Sequence, residues 1–281
     1  MELWHAIILG IVEGISEFLP ISSTGHLTIV EKLLGYQLND PGLTAFTAVI
    51  QIGAIAAAVL YFWKDIWRVA TAWLAGLADK TARKNFDYKF GWAIILGSLP
   101  IAIIGLLFQD QIETTLRSLW WVAGGLICWS VVMWLADRAI ARNKKPKAEK
   151  DISWRDTLAI GIGQCLALIP GVSSSGATIS VGLFRGFDRV TVTKLSFFLG
   201  IPALCAAGLM QAAVAFGDIS TGVGWVPTTI ATIVAFCVAY LSIAWLLKFV
   251  AKNDFSVFIW YRVGLGALLV VFLLTGVIHA V

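Results

Sequence analysis

Apolar residues run almost unbroken from Leu3 to Leu34, but Pro20 cuts the run and a polar knot of Ser22, Ser23 and Thr24 follows it. Proline disfavours helical geometry at the residue before it, which predicts that a first helix stops at Leu19. The three hydroxyl residues are good N-caps, so a second helix starts among them and ends before Gly35. Its arm from Gly25 to Leu34 is about ten residues long, too short to cross a bilayer. The segment therefore reads as a re-entrant helical hairpin.

Gly35 to Gly42 is a loop, with Asn39, Asp40, Pro41 and Gly42 as turn residues. Leu43 to Trp63 is long enough to span, and Lys64 to Lys89, which mixes basic and aromatic residues, is expected at the interface. Phe90 to Phe108, with a kink at Pro100, is a second span. Leu119 to Leu135 is a short third one, flanked by Trp120, Trp121 and Trp134 as an aromatic belt. Arg138 to Arg155 is the most polar stretch and divides the chain as a solvated loop. Thr157 to Phe184 is again apolar and again broken, here at Pro170-Gly171. Val192 to Phe216, Trp225 to Phe249 and Val257 to Ile278 complete six spans.

The two broken segments match at an offset of 151, which sets Glu13 on Gln164, Ser22 on Ser173, Ser23 on Ser174, Thr24 on Ser175, Gly25 on Gly176 and Gly35 on Gly186. Polar residues, breakers and helix stop agreeing at one offset indicate an internal repeat. Three spans separate the breaks, an odd number, so two hairpins that each return to the side they left enter from opposite faces. That is an inverted-topology repeat whose broken tips meet near the midplane. The expectation is one membrane domain over 1–281, with repeats at 1–137 and 156–281 and a basic cytoplasmic loop at 138–155.

Composition agrees. Residues are 59% hydrophobic and 14% charged, with mean hydropathy +0.84, which identifies an all-α integral membrane protein and excludes a soluble enzyme with a large core. Most lysine and arginine falls in loops on one side, which the positive-inside rule makes cytoplasmic, so both termini face outward. Cys128, Cys165, Cys205 and Cys237 stand singly in apolar segments as small hydrophobes, without metal-ligand spacing. Glu2 and the lack of a basic leader argue against a cleavable signal peptide. The Lys144-Lys145-Pro146-Lys147 run is a topology determinant rather than a nucleic-acid contact.

Glu13 and Glu17 are four residues apart on one helical face, where they repel unless a cation lies between them. Ionisable groups at this depth are functional by default, though a structural ion pair or a proton relay would also use them. A helix starting at Ser23 presents N–H groups and hydroxyls to an anion. The stretch reads as cation holder, break and anion cradle, with a second helix N-terminus at Ser174 converging from the opposite side. His26 beside it serves as nucleophile or as general acid/base, and Ser23 is the rival nucleophile with His26 as its base. The bland readings are a structural histidine and helix-capping serines. Gln51, Thr178 and Arg262 are further candidates for phosphate contacts.

E-G-I-S-E-F-L-P-I-S-S-T-G-H-L at Glu13 to Leu27 resembles the first signature of the bacterial undecaprenyl-pyrophosphate phosphatases, the bacitracin-resistance family. P-G-V-S-S-S-G-A-T at Pro170 to Thr178 resembles the second. V-I-Q-I-G at Val49, F-F-L-G-I-P at Phe197 and Tyr261-Arg262 extend the likeness over essentially the whole chain. The resemblance implies removal of the terminal phosphate of a C55 polyprenyl diphosphate, which returns the lipid carrier of cell-wall assembly. It implies a multi-pass protein of the bacterial inner membrane. Glu13 and Glu17 match the acidic motif tied to a divalent cation, Mg²⁺ or Ca²⁺. Ser23 and His26 match residues of the chemistry, and Ser22 and Thr24 match hydroxyls on the phosphate side. Gly25, Ser173, Ser174, Ser175 and Gly176 fall in the same substrate-binding signatures. A homodimer is admitted but not required.

In one place the chain departs from the family pattern. That pattern has arginine at the position of Ser174, where a guanidinium would clamp diphosphate oxygens as a bidentate fork. Either this is an inactivating replacement in an otherwise ordinary member, which the intact remaining signatures favour, or the chain binds polyprenyl phosphates without efficient hydrolysis. A polyprenyl-phosphate flippase or anion transporter is the alternative function, because inverted repeats with broken helices are also transporter architecture.

Overall fold

The computed structural model describes residues 1–38, 40–108, 118–214, 219–220 and 222–280, with the side chains of 207 and 209–214 outside the description. The expected turn residue Asn39 and the expected span end Phe216 therefore lie outside the described residues. Eleven α-helices are described: α1 (Leu3–Ser16), α2 (Ser23–Leu33), α3 (Pro41–Tyr61), α4 (Trp63–Ala78), α5 (Phe86–Leu107), α6 (Leu119–Ala141), α7 (Trp154–Gln164), α8 (Ser174–Phe184), α9 (Arg189–Val214), α10 (Trp225–Val250) and α11 (Ser256–Leu274). Among the described residues no strand forms beyond one isolated bridge between Lys147 and Phe187.

Among the described residues, six helices are long and apolar enough to cross a membrane: α3, α5, α6, α9 over Arg189–Ala206, α10 and α11. Large apolar side chains point outward along them, with Leu107 at 69%, Leu241 at 68% and Trp260 at 70% exposure. An outer surface of this kind suits lipid, while the backbone polar groups are satisfied inside each helix. α4 takes up the first part of the stretch expected at the interface and leaves Trp63, Trp67, Leu74 and Leu77 exposed.

Several boundaries differ from expectation, among them the start of α5 at Phe86 rather than Phe90 and the end of α11 at Leu274 rather than Ile278, and two of them bear on the site and its surroundings. α6 runs to Ala141 rather than Leu135, because Ala136 and Ile140 are buried and Asp137 accepts a 2.7 Å charge-assisted bond from Arg189. The solvated loop starts correspondingly later than Arg138. α1 ends at Ser16 rather than Leu19, but Glu17 keeps helical angles and donates its N–H to the Glu13 carbonyl at 3.0 Å. The two carboxylates thus keep their i, i+4 relation.

The two broken segments share their backbone to the cap. Ser22 and Ser173 both have φ of 78°, a left-handed conformation that costs non-glycine residues energy. Each side chain accepts the N–H three residues on, Gly25 at 3.3 Å and Gly176 at 3.1 Å, and so caps its helix. Both helices end alike, with Tyr36 N–H on the Glu31 carbonyl and Phe187 N–H on the Gly182 carbonyl, around Gly35 and Gly186 at positive φ.

Packing partners are exchanged between the halves. α1 packs on α10 and α7 packs on α5, while α3 and α9 pack on each other and on α10 and α5 respectively. Matched glycines permit both contacts: a Cβ at Gly10 would fall on the Ala231 carbonyl, and one at Gly161 on that of Gly97.

Candidate active site

The first break opens onto a cavity of about 320 Å³. α2 presents one face to it, with Ser23, Leu27 and Glu31 at i, i+4, i+8 and Thr24 and Thr28 beside them. α1 contributes Glu13, α3 contributes Thr47 and Gln51, and the second break contributes Ala167, Leu168 and Pro170.

The Ser23 hydroxyl donates to Glu17 Oε2 at 2.6 Å. Glu17 is also within hydrogen-bonding reach of Gln51 and of Glu13. Glu13 is 1% exposed, and its Oε1 has no hydrogen-bond partner among the described residues. A serine held on a carboxylate at this distance has its general base in place. The break creates the pair, because Pro20 and the left-handed Ser22 turn the start of α2 back toward the end of α1.

His26 lies on another face of α2 and does not line the cavity. Its Nδ1 is 2.7 Å from the Ser22 carbonyl oxygen, which can only accept, so Nδ1 carries the proton. Nε2 is then the acceptor for the Tyr261 hydroxyl at 2.6 Å, with the two rings stacked 11° from parallel. The expected Ser23–His26 pair is not formed, because the serine proton goes to Glu17 and the imidazole lone pair is taken by Tyr261.

Around the second break the hydroxyls are used internally. Ser173 bonds Ser175 at 3.1 Å, Ser175 donates to the Leu19 carbonyl at 3.1 Å, and Thr178 donates to the Ser174 carbonyl at 2.9 Å. Ser174 accepts the Gln164 amide at 3.0 Å, and Gln164 Oε1, in a residue 1% exposed, is unpaired. Arg262 is fully buried and turns its fork onto backbone: Pro20 at 3.1 Å from the first break, Gly171 at 2.8 Å and Val172 at 3.1 Å from the second, and Gly125 at 3.2 Å. Its Nε donates to Ser130 at 3.1 Å. Ser173, Ser174, Ser175, Gly176, Thr178 and Arg262 thus stand behind the cavity wall rather than on it.

Two carboxylates in contact at this depth need a shared proton or a cation between them. The orphaned Glu13 oxygen and the all-oxygen donor set of Glu13, Glu17 and the neighbouring hydroxyls fit a hard divalent ion. No group of three His, Cys, Asp or Glu able to hold a metal occurs among the described residues, so such an ion would need water or substrate oxygens as well.

Sequence reasoning missed Glu31, Thr28 and Thr47 on the cavity wall. The spacing of Glu31 eight residues after Ser23, as a single acidic residue in a short helix, was the available signal. Tyr261 was visible only as part of a motif, without its partner.

A family model described as "Bacitracin resistance protein BacA" matches residues 6–268. The chain is 57% identical over 280 residues to "Undecaprenyl-diphosphatase 3" of Frankia casuarinae, covering 100% of both chains. It is 58% identical over 287 residues to "Undecaprenyl-diphosphatase" of Cutibacterium acnes, again covering 100% of each. With "Undecaprenyl-diphosphatase 1" of Streptomyces coelicolor identity is 50% over 281 residues, 100% of this chain and 99% of the relative.

Proposed function

The chain belongs to the bacitracin resistance protein BacA family, and from that premise we propose that it is an undecaprenyl-diphosphatase. It hydrolyses undecaprenyl diphosphate to undecaprenyl phosphate and inorganic phosphate in the bacterial inner membrane, so renewing the lipid carrier for cell-wall synthesis. The observation that carries the reading is the Ser23 hydroxyl donating to Glu17 at 2.6 Å, with Ser23 on the wall of a cavity shared with Glu13.

Ser23 Oγ attacks the terminal phosphorus as its proton passes to Glu17. The bond from that phosphorus to the bridging oxygen breaks, and undecaprenyl phosphate leaves. Water then displaces the serine oxygen from phosphorus, Glu17 returns the proton it took to Oγ, and both protons of the water leave with inorganic phosphate. Thr24 and the first N–H groups of α2 bind phosphate oxygens at the helix N-terminus. Ser22 and Gly25 hold that N-terminus in place, and His26 fixes it to α11. Glu13 and Glu17 would hold Mg²⁺ or Ca²⁺, which offsets the combined charge of carboxylates and diphosphate.

We also read the broken segments as re-entrant hairpins of an inverted-topology repeat, with both termini extracytoplasmic. In support, the halves exchange packing partners, and Arg68, Lys147, Arg185, Arg189 and Lys194 gather with Asp87, Asp137, Glu149 and Asp156 near the ends of α4 to α9. The site is built within one chain, so a homodimer is not needed to complete it. The flippase reading draws on the inverted-repeat architecture, which does not carry function, and on the arginine that Ser174 replaces.

Ser174 offers a hydroxyl and no charge, and we infer that it limits the rate. The test is phosphate release from C55 diphosphate in detergent, with Mg²⁺ and then with chelator, for this chain and its Ser174→Arg variant. A charged clamp on the transition state is worth on the order of a hundredfold or more, so the variant should gain metal-dependent activity on that scale. If both proteins bind the lipid and neither releases phosphate, the phosphatase reading fails. If the unaltered chain already matches the variant, only the inference about Ser174 is lost.

A further inference from the structure

A second cavity, of about 240 Å³, lies behind α4 and shares no lining residue with the first. Ile66, Val69, Ala70 and Trp73 line it from one face of α4, at i, i+3, i+4 and i+7, with α5 closing it at Gly91 and α9 at Pro202. No charged or hydroxyl side chain stands on this wall. Ala70 and Gly91 are too small to fill the gap between their helices. An empty hollow forfeits dispersion contacts, and a wall without polar side chains gives water little to bind. The volume falls below the roughly 300–1,000 Å³ of sites that enclose a drug-sized ligand, so it suits one alkyl chain and no headgroup.

Cations gather at the end of α4 next to this hollow. Trp73 packs over Gly91, and a Cβ at Gly76, three residues on, would meet the Tyr88 ring. Arg83 donates through Nε to the Gly76 carbonyl at 2.8 Å, which holds the turn after α4 against its last residues. From Asp79 to Lys89 the chain sets Lys80, Arg83, Lys84 and Lys89 against two acids. Both acids are engaged: Asp79 accepts the Thr81 N–H at 2.8 Å, and Asp87 pairs with Arg68 at 3.5 Å. Lys80, Lys84 and Lys89 are exposed and form no salt bridge among the described residues.

We propose that this cavity and the basic turn beside it bind one anionic glycerophospholipid, with an acyl chain in the cavity and the phosphate among Lys80, Arg83 and Lys84. An alkyl chain matches the apolar wall, and a negative headgroup matches the unpaired cations. The bound lipid joins α4 to α5 and α9, so it stabilises the folded chain. The diphosphate of the proposed substrate belongs at Ser23, on the wall of the other cavity.

The test uses the purified full chain, delipidated in non-ionic detergent, with dioleoyl phosphatidylglycerol and dioleoyl phosphatidylcholine as probes. Binding is read by native mass spectrometry and by melting temperature. One phosphatidylglycerol should bind saturably, about tenfold more tightly than phosphatidylcholine, and raise the melting temperature. The double variant Lys80→Gln/Lys84→Gln should bring phosphatidylglycerol down to the phosphatidylcholine level, and Ala70→Leu, which extends into the cavity, should weaken both. Because Ala70→Leu can also disturb the fold, the chain is located separately, with a phosphatidylglycerol that carries a diazirine on its acyl chain. Its cross-links should fall on Ile66, Val69, Ala70 or Ile94. Cross-links spread over the lipid-facing helices, or equal binding of the two lipids by the unaltered protein, overturn the proposal. Displacement of phosphatidylglycerol by an equal amount of undecaprenyl phosphate also overturns it and assigns the cavity to a prenyl chain.

Discussion

The two breaks have the same backbone and opposite uses. Ser22 and Ser173 share a φ of 78°, and each caps the N–H three residues on. In the first break the next serine, Ser23, donates to a carboxylate. In the second, Ser174 accepts from the Gln164 amide. Glu13 is matched by Gln164 and Glu17, the base on Ser23, by Leu168, so the hydroxyl that has a base beside it in one repeat meets an amide in the other. The repeat supplies the geometry twice, and the charge decides which copy does chemistry.

The largest predicted effect tests that division. Removing a general base typically costs about 10²- to 10⁴-fold, so Glu17→Gln should lower the turnover rate for phosphate release by that range. Gln164→Ala at the other break should cost less than about tenfold. Equal losses in the two variants would mean that both breaks share the chemistry and that the asymmetry is only apparent.

Arg262 ties the breaks together, and its removal should damage both. It is fully buried, and its donors meet carbonyls from the first break, the second break and α6. Each buried acceptor left unpaired costs about 1–3 kcal/mol. Arg262→Met should therefore lose at least about 3 kcal/mol, seen as a lower melting temperature in detergent, with activity falling in parallel. Arg262→Lys keeps the charge but not the fork, and should fall between. A variant that stays fully stable and loses only substrate affinity would return Arg262 to the phosphate-binding role expected from the sequence.

That reversal of role shows where sequence reading stops. The spans were legible because apolar runs of this length admit few structures, and the breaks were legible because proline and clustered hydroxyls end and start helices. The pairing of Glu13 with Glu17 followed from helical spacing alone. Which way Arg262 points did not, because its fork is satisfied by carbonyls of Pro20, Gly171 and Val172, which no side-chain pattern encodes. Ser23 and His26, three residues apart, read naturally as a nucleophile and its base. They stay unpaired because the Ser23 hydroxyl turns to Glu17 and the His26 ring is held between the Ser22 carbonyl and Tyr261, partners that helical spacing does not encode. The extension of α6 past Leu135 was hidden similarly, since it rests on the ion pair from Asp137 to Arg189, 52 residues away.

Tyr261 gives the smallest effect and the finest test of the comparison. At the position matching His26 the second repeat has Ala177, so the contact exists at one break only. Tyr261 does not line the cavity and reaches it only through His26, which bonds the carbonyl of the capping residue Ser22. A neutral hydrogen bond is worth about 1 kcal/mol, so Tyr261→Phe should lower the turnover rate by about three- to tenfold and leave the Michaelis constant unchanged. Because the effect passes through the imidazole, the double variant His26→Ala/Tyr261→Phe should be no slower than His26→Ala alone. Costs that multiply instead would show Tyr261 acting independently of His26, and the α11 contact would then be a packing contact rather than the support that keeps Ser23 on Glu17.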